Sequence, residues 1–315
     1  MTLGVRESTA WVMARARWVA IDERALAALA ERLAREPAPQ PTWDHRYHLE
    51  GPPPALAQYL LLLDALNFSF WGEPKWSIEF RGERLDGYWA LAAALTRAVQ
   101  QGVPLLDAAA LAELDHATLA AVLAGSSEIP LLEERLAHAR EVGRVLCTRY
   151  GRQAATLVAA AGGSAVAFVR RVVADFPSFD DRASYAGKEV RFYKRAQLLA
   201  ADLAAAGVVP PWPDEAELTV FADYQLPRVL RAAGVLVYAP ELATRIDQRR
   251  ELAAGSPEEV EIRAATVVAC EQLCAALAAR GAPLTAVALD QRLWWLAQGA
   301  LPNDRPYHRT RTVFY

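Results

Sequence analysis

Positive charge is not in excess in this sequence: 34 Lys and Arg face 37 Asp and Glu, for a formal net charge of −3. That balance excludes the broad cationic face with which proteins grip duplex nucleic acid, although a small anionic ligand would need only a local cluster. Lysine itself is scarce, at Lys75, Lys188 and Lys194, and the last two lie close together. Cysteine is equally scarce, and Cys147, Cys270 and Cys274 have the spacing of neither a zinc site nor a disulfide framework. Cys270 and Cys274 share a helical face, a spacing open to metal or redox work, though as small apolar side chains they read as core. The opening MTLGVRESTAWVMARARWVAIDER lacks the apolar centre and cleavage site of a secretory signal. The uncharged run 153–169 is rich in Ala and Gly and broken at Gly162-Gly163, too short and too weakly apolar to span a bilayer. Neither GxGxxG nor GxxxxGK[ST] occurs, and HExxH, CxxC and a serine nucleophile elbow are missing too. The expectation is a soluble, cytoplasmic protein with no cofactor and no bound metal.

What is present is apolar and helical. Hydrophobic residues make up 53% of the 315 and charged ones 23%, enough to build a sizeable core in one large domain or two ordinary ones. Segment 22–35 carries a helical apolar stripe behind a plausible Asp22 cap. Prolines at 37, 39, 41 and 52–54 then bracket a polar, aromatic loop, TWDHRYHLEG. Helix is expected to resume near Ala55 and run to Trp71. Trp76, Ile78 and Phe80 alternate with polar residues ahead of an Arg81-Gly82-Glu83 turn, which predicts a small hairpin. Helices are expected from Tyr88 to Leu146 and on both sides of Gly162-Gly163-Ser164. Another, over 192–206, should be stopped by Pro210-Pro211-Trp212-Pro213. Ser256, Pro257 and Glu259 form a capping box before a further helix, and a last helix covers LDQRLWWLAQ. The fold class expected is mainly α with a small β-hairpin.

Within this frame a few polar residues stand out. FADYQLPRVL, residues 221–230, places Phe221, Asp223 and Tyr224 at a helix boundary with Pro227 behind them. Asp223 can cap the helix that follows, serve as a catalytic carboxylate, or do both. Asp290 has the same two readings for the last helix. His48, beside His45 and Trp43 in the proline-bounded loop, is open to a surface role or to ligand binding. Asn67 is a polar group in an otherwise apolar LNFSFW run and needs partners.

Seven blocks, LNFSFW, GYWAL, FPSFDD, FYKRAQLLAAD, FADYQLPRVL, EVEIRAA and the terminal YHRTRTVFY, together resemble the queuosine salvage family. These are the queuosine 5′-phosphate N-glycosylases, which release queuine from the nucleotide. The resemblance runs from about Trp18 to Tyr315. It implies a fold like that of helix-hairpin-helix DNA glycosylases with an N-terminal extension. One domain over 1–315 follows, with an N-terminal helical part with the hairpin to about residue 150 and a glycosylase-like helical part from about 151 to 315. In glycosylases of that fold a catalytic Asp opens a helix just after the hairpin region, and Asp223 occupies the equivalent place. Phe221 and His48 match positions expected to hold the base, and Asp290, Gln291 and Trp295 match a helical segment lining the same pocket. Relatives often read like LDYYLWD where this chain has LDQRLWW, so Trp295 replaces an acid.

The resemblance implies hydrolysis of the N-glycosidic bond of queuosine 5′-monophosphate, with Asp223 stabilising the ribosyl cation or attacking it. Lys194, Arg195, His308 and Arg309 are candidates for holding the phosphate. The implied partners are the nucleotide and its product queuine, with no direct nucleic acid and no membrane. A DNA or base glycosylase of the same fold class and a non-catalytic modified-base-binding protein are the alternatives.

Overall fold

Apolar residues at steps of three and four dictate most of the local structure. The computed structural model of the protein describes residues 2–36 and 43–315 and is mainly α, with fourteen α-helices and three two-stranded antiparallel sheets among the described residues. Helix Pro257–Ala278 is its axis. Buried Glu261, Ile262, Arg263, Ala264, Thr266 and Val267 leave this helix without a solvent face at its centre, and the N-terminal helices Val5–Met13 and Glu23–Arg35 pack against it. Strand Val19–Ile21 pairs antiparallel with Leu236–Tyr238, so the N-terminal segment is tied to the second half of the chain. No helix among the described residues is long and apolar enough to cross a membrane.

Several expected boundaries hold. Asp22 accepts the Ala25 amide at the start of Glu23–Arg35. The expected hairpin forms from Ser77–Phe80 and Glu83–Asp86, and helices flank the Gly162-Gly163 break at Ala154–Ala159 and Ala165–Asp175. Ser256 caps Pro257–Ala278 as expected, but Glu259 reaches back to the Gly255 amide rather than to that of Ser256. Pro37, Pro39 and Pro41 lie outside the described residues.

Others shift for identifiable reasons. The helix expected to reach Trp71 spans only Pro53–Ala65. Its last carbonyls are captured by buried guanidinium groups instead of by further turns. Arg195 donates to the Asp64 and Ala65 carbonyls at 2.9 and 2.6 Å, and Arg135 donates to those of Leu66, Phe68 and Ser69. Segment 67–71 therefore runs free of the helix. The helix expected over 192–206 begins at Lys194 and ends at Ala205, where Gly207 adopts φ 70°; the proline run comes later and does not stop it. Unforeseen was a second hairpin, Arg182–Tyr185 with Lys188–Arg191, turning through Ala186 and Gly187, both at positive φ.

Candidate active site

One buried ion pair organises the site. Arg263, on the axial helix, donates from both terminal nitrogens to the Asp181 carboxylate at 2.9 and 2.6 Å, with both side chains almost wholly buried. The same Asp181 accepts the amide of Lys194 at 3.1 Å, and Arg263 Nε donates to the carbonyl of Ala222 at 3.2 Å. A bidentate pair of this kind fixes direction as well as distance. It joins the FPSFDD, FYKRAQ, EVEIRAA and FADYQ blocks and sets the positions of Lys194 and Asp223, which line one cavity.

Asp223 is a cap. Its Oδ1 accepts the amides of Gln225 and Leu226 at 2.7 and 3.0 Å, at the start of helix Gln225–Ala232. Burial raises its carboxyl above the usual range, while Lys194, those two amides and Arg263 pull it back down. Lys194 is itself buried, which depresses its ammonium, and Asp223, Asp64 and Asp290 oppose that depression. Its charge in turn favours the ionised forms of Asp223, Asp64 and Asp290.

Asp290 does not cap its own helix, Ala286–Gln298; Thr285 does. Asp290 lies in the second turn, and its Oδ1 accepts the Phe221 amide at 2.7 Å, which ties this helix to the FADYQ segment. Burial raises its carboxyl well above the usual range, and Asp223 adds to the rise. Gln291, Trp294 and Trp295 continue the same wall. Trp295 is 42% exposed, and its ring lies 5.9 Å from that of Trp89.

His48 is not a surface residue. It is 4% exposed, stacked on Trp43 with ring centres 4.0 Å apart. Its Nδ1 bonds the Asp44 carbonyl at 2.7 Å and its Nε2 the Tyr88 hydroxyl at 2.9 Å. Burial depresses its pKa to about 4, so the ring is neutral near pH 7.

His48, Phe221, Asp223, Asp290, Gln291, Trp295 and Lys194 thus all face a single cavity. The remaining candidates do not. Arg309 points its guanidinium at Glu73, 2.7 Å away; His308 is buried against the Tyr315 hydroxyl; and Arg195 is committed to backbone carbonyls. Lys188 stacks on Trp11 away from the site. Cys270 and Cys274 lie on the axial helix, where burial raises both thiols. Among the described residues no group of three His, Cys, Asp or Glu could hold a metal.

Lys75, Tyr88 and Asp202 are three of the wall residues that escaped the sequence reading. Lys75 stands at the cavity, paired with Asp86 at 2.7 Å. Tyr88 opens helix Gly87–Gln100. Asp202 is the third, and its signal was visible: Lys194, Leu198, Asp202 and Ala205 recur at steps of four, four and three, and all four line the cavity.

Comparison with known proteins fits this geometry. The family model described as "Queuosine salvage protein" matches residues 47–315. A protein of Sphaerobacter thermophilus named queuosine 5′-phosphate N-glycosylase/hydrolase is 50% identical over 99% of this chain and 98% of its own length. Proteins of the same name from Mus musculus and Dictyostelium discoideum are each 32% identical, over 99% of this chain and 99% and 98% of their own lengths. The blocks that the Asp181–Arg263 pair draws together fall inside the matched region, and the chain belongs to the queuosine salvage protein family.

Proposed function

We propose that this protein hydrolyses the N-glycosidic bond of queuosine 5′-phosphate, with Asp223 as the group that stabilises the ribosyl cation. The observation that carries the reading is the pairing of a buried Asp223 carboxylate, fixed by two backbone amides, with a buried Lys194 in one aromatic cavity. Breaking the bond to the base builds positive charge on the ribose. A carboxylate that is already oriented stabilises that charge with no reorganisation when it forms. Lys194 favours the ionised form of Asp223 against the burial that raises its carboxyl. Water completes the reaction: hydroxide adds to C1′, the remaining proton goes to Asp223 and then to solvent, and the products are free base and ribose 5-phosphate.

The flat faces of Phe221, Trp294 and Tyr88 suit a purine-like ring. Asp290, with one oxygen tied to Phe221, keeps the other for N–H groups of the base. For the 5′-phosphate we favour Lys75, whose pair with Asp86 is solvent-exposed and costs little to break, whereas Lys194 is buried and Arg309 points at Glu73 away from the cavity. The test is incubation with queuosine 5′-monophosphate and mass spectrometry for free queuine. Release of the base supports the reading; an intact nucleotide, with well-folded protein and no queuine, refutes it.

A further inference from the structure

Asp202 is 7% exposed, lines the cavity from helix Lys194–Ala205 and has one oxygen, Oδ2, that is fully shielded without a hydrogen-bond partner. Oδ2 of neighbouring Asp64 is in the same condition. A buried carboxylate oxygen with no donor is a heavy penalty, and the usual relief is a proton.

The polarity of the adjoining hydrogen bonds points the same way. The Asp44 carbonyl can only accept, so His48 carries its proton on Nδ1. The neutral ring then presents a bare Nε2, and the Tyr88 hydroxyl must donate to it. Asp202 lies against that same hydroxyl. A Tyr88 hydroxyl turned to Asp202 would favour its carboxylate; with its proton given to His48, the hydroxyl instead offers Asp202 only lone pairs, and the group that complements lone pairs is a carboxylic acid. The charges around Asp202 agree: Asp64 and Asp290 both disfavour a further negative charge, and the one cation among them, Lys194, has Asp223 as its first-ranked partner. Burial raises the Asp202 carboxyl well above the usual range, whereas Asp223 has two amides that Asp202 lacks. Both carboxyls are raised, Asp202 the further of the two, and such a separation is the pattern that divides an acid from a base.

We infer that Asp202 is the proton donor to the departing base, a catalytic residue distinct from Asp223. This rests on the glycosidase reading above. As the C1′–N bond breaks, its electron pair passes to the base. The Asp202 proton moves to a ring nitrogen of the base, which leaves neutral, and Asp202 becomes a carboxylate. It regains a proton from solvent once the base has left. A 7-deaza ring has no N7 to protonate, so the donor must reach another ring nitrogen.

The test is Asp202→Asn, which keeps shape and hydrogen bonding but cannot give up a proton. Release of queuine from the nucleotide should fall by about 100- to 10,000-fold in kcat, the range of general acid catalysis. Cleavage of 4-nitrophenyl riboside 5-phosphate, whose leaving group needs no proton, should fall by no more than about threefold on the same grounds. The high-pH limb of the nucleotide profile should vanish in Asp202→Asn and persist in Asp290→Asn. The protonated-carboxyl absorption in the infrared should also lose one component in the folded Asp202→Asn protein. Equal losses on both substrates, normal nucleotide turnover, a surviving high-pH limb or an unchanged carboxyl band would each overturn the inference. Wild-type protein that releases no base from the nucleotide overturns the glycosidase reading and this assignment together; wild-type turnover with an unimpaired Asp202→Asn overturns only the assignment.

Discussion

Asp223→Asn separates the cap that Asp223 forms from the catalytic role proposed for it. The amide oxygen of Asn can still accept from Gln225 and Leu226, so the start of helix Gln225–Ala232 keeps its cap. Stability should change little, and the loss of a buried carboxylate partly offsets the loss of Lys194's main partner. Asp223→Ala, in contrast, should cost about 1 kcal/mol through the cap alone. Catalysis is where the charge matters. A unit charge about 4 Å from a full cation, at an effective dielectric of about 20, is worth about 4 kcal/mol, or roughly a thousandfold in rate. The transition state carries only part of that charge, so a loss of about 100- to 1,000-fold in kcat is expected. The raised carboxyl also predicts an acid limb in the rate profile, displaced upward from the ordinary carboxylate range, that Asn removes. The assay is single-turnover release of queuine from queuosine 5′-monophosphate, run beside a melting curve of the same sample. A folded Asp223→Asn protein that cleaves within about threefold of wild type would refute the reasoning, because no electrostatic stabiliser of this kind is worth so little.

Breaking the Asp181–Arg263 pair with Arg263→Met should destabilise by about 3–5 kcal/mol, since Asp181 is left buried and unpaired; denaturant unfolding measures it. Lys75→Ala should lower kcat/KM for the monophosphate and leave that for the nucleoside unchanged, because remote binding energy is lost only where a phosphate is present. Equal effects on the two would remove Lys75 from phosphate binding. The Asp64 carboxyl, whose folded pKa is raised by burial from 3.8 to about 7, binds its proton more tightly folded than unfolded. Its contribution is therefore full below 3.8 and lost as pH rises through about 7. Asp64→Asn should raise the melting temperature at pH 8 and lose that advantage below pH 4, and a gain independent of pH would contradict the assignment.

How legible the site was in the sequence depended on whether a residue's role is local. Asp22 and Ser256 announce caps because the groups they bond lie within three residues. Asp223 announced its cap for the same reason, and a family resemblance favoured the catalytic role proposed for it. Of the two readings open for Asp290 the cap failed, because its partner, the amide of Phe221, is 69 positions away. His48 looked exposed beside His45 in a polar loop; only the packing of Trp43 and Tyr88 on it makes it interior. The end of helix Pro53–Ala65 was illegible for a similar reason. LNFSFW carries no Pro or Gly, and nothing in YLLLLDALNFSFW stops a helix; the arginines that do so are distant in the chain. The second hairpin went unseen because its strands are largely exposed and polar, which blurs alternation.

Those two arginines carry a consequence for anyone who would transplant or redesign the site. Segment 67–71, which brings Asn67, Phe68 and Phe70 to the cavity, is shaped from outside: Arg135 takes the carbonyls of Phe68 and Ser69, Arg195 those of Asp64 and Ala65 just before it, and Thr312 and Tyr315 bond Ser69, each arginine being a planar fork that reaches several carbonyls at once. A lysine at either place would deliver the same charge from a single nitrogen and leave carbonyls bare in the interior. Arg135 also stands outside every block by which the family is recognised, on a helix whose surroundings look ordinary. A chimera that copied all seven blocks but took its Leu132–Arg149 helix from another scaffold would carry the motif letters intact and lose the loop they were meant to build.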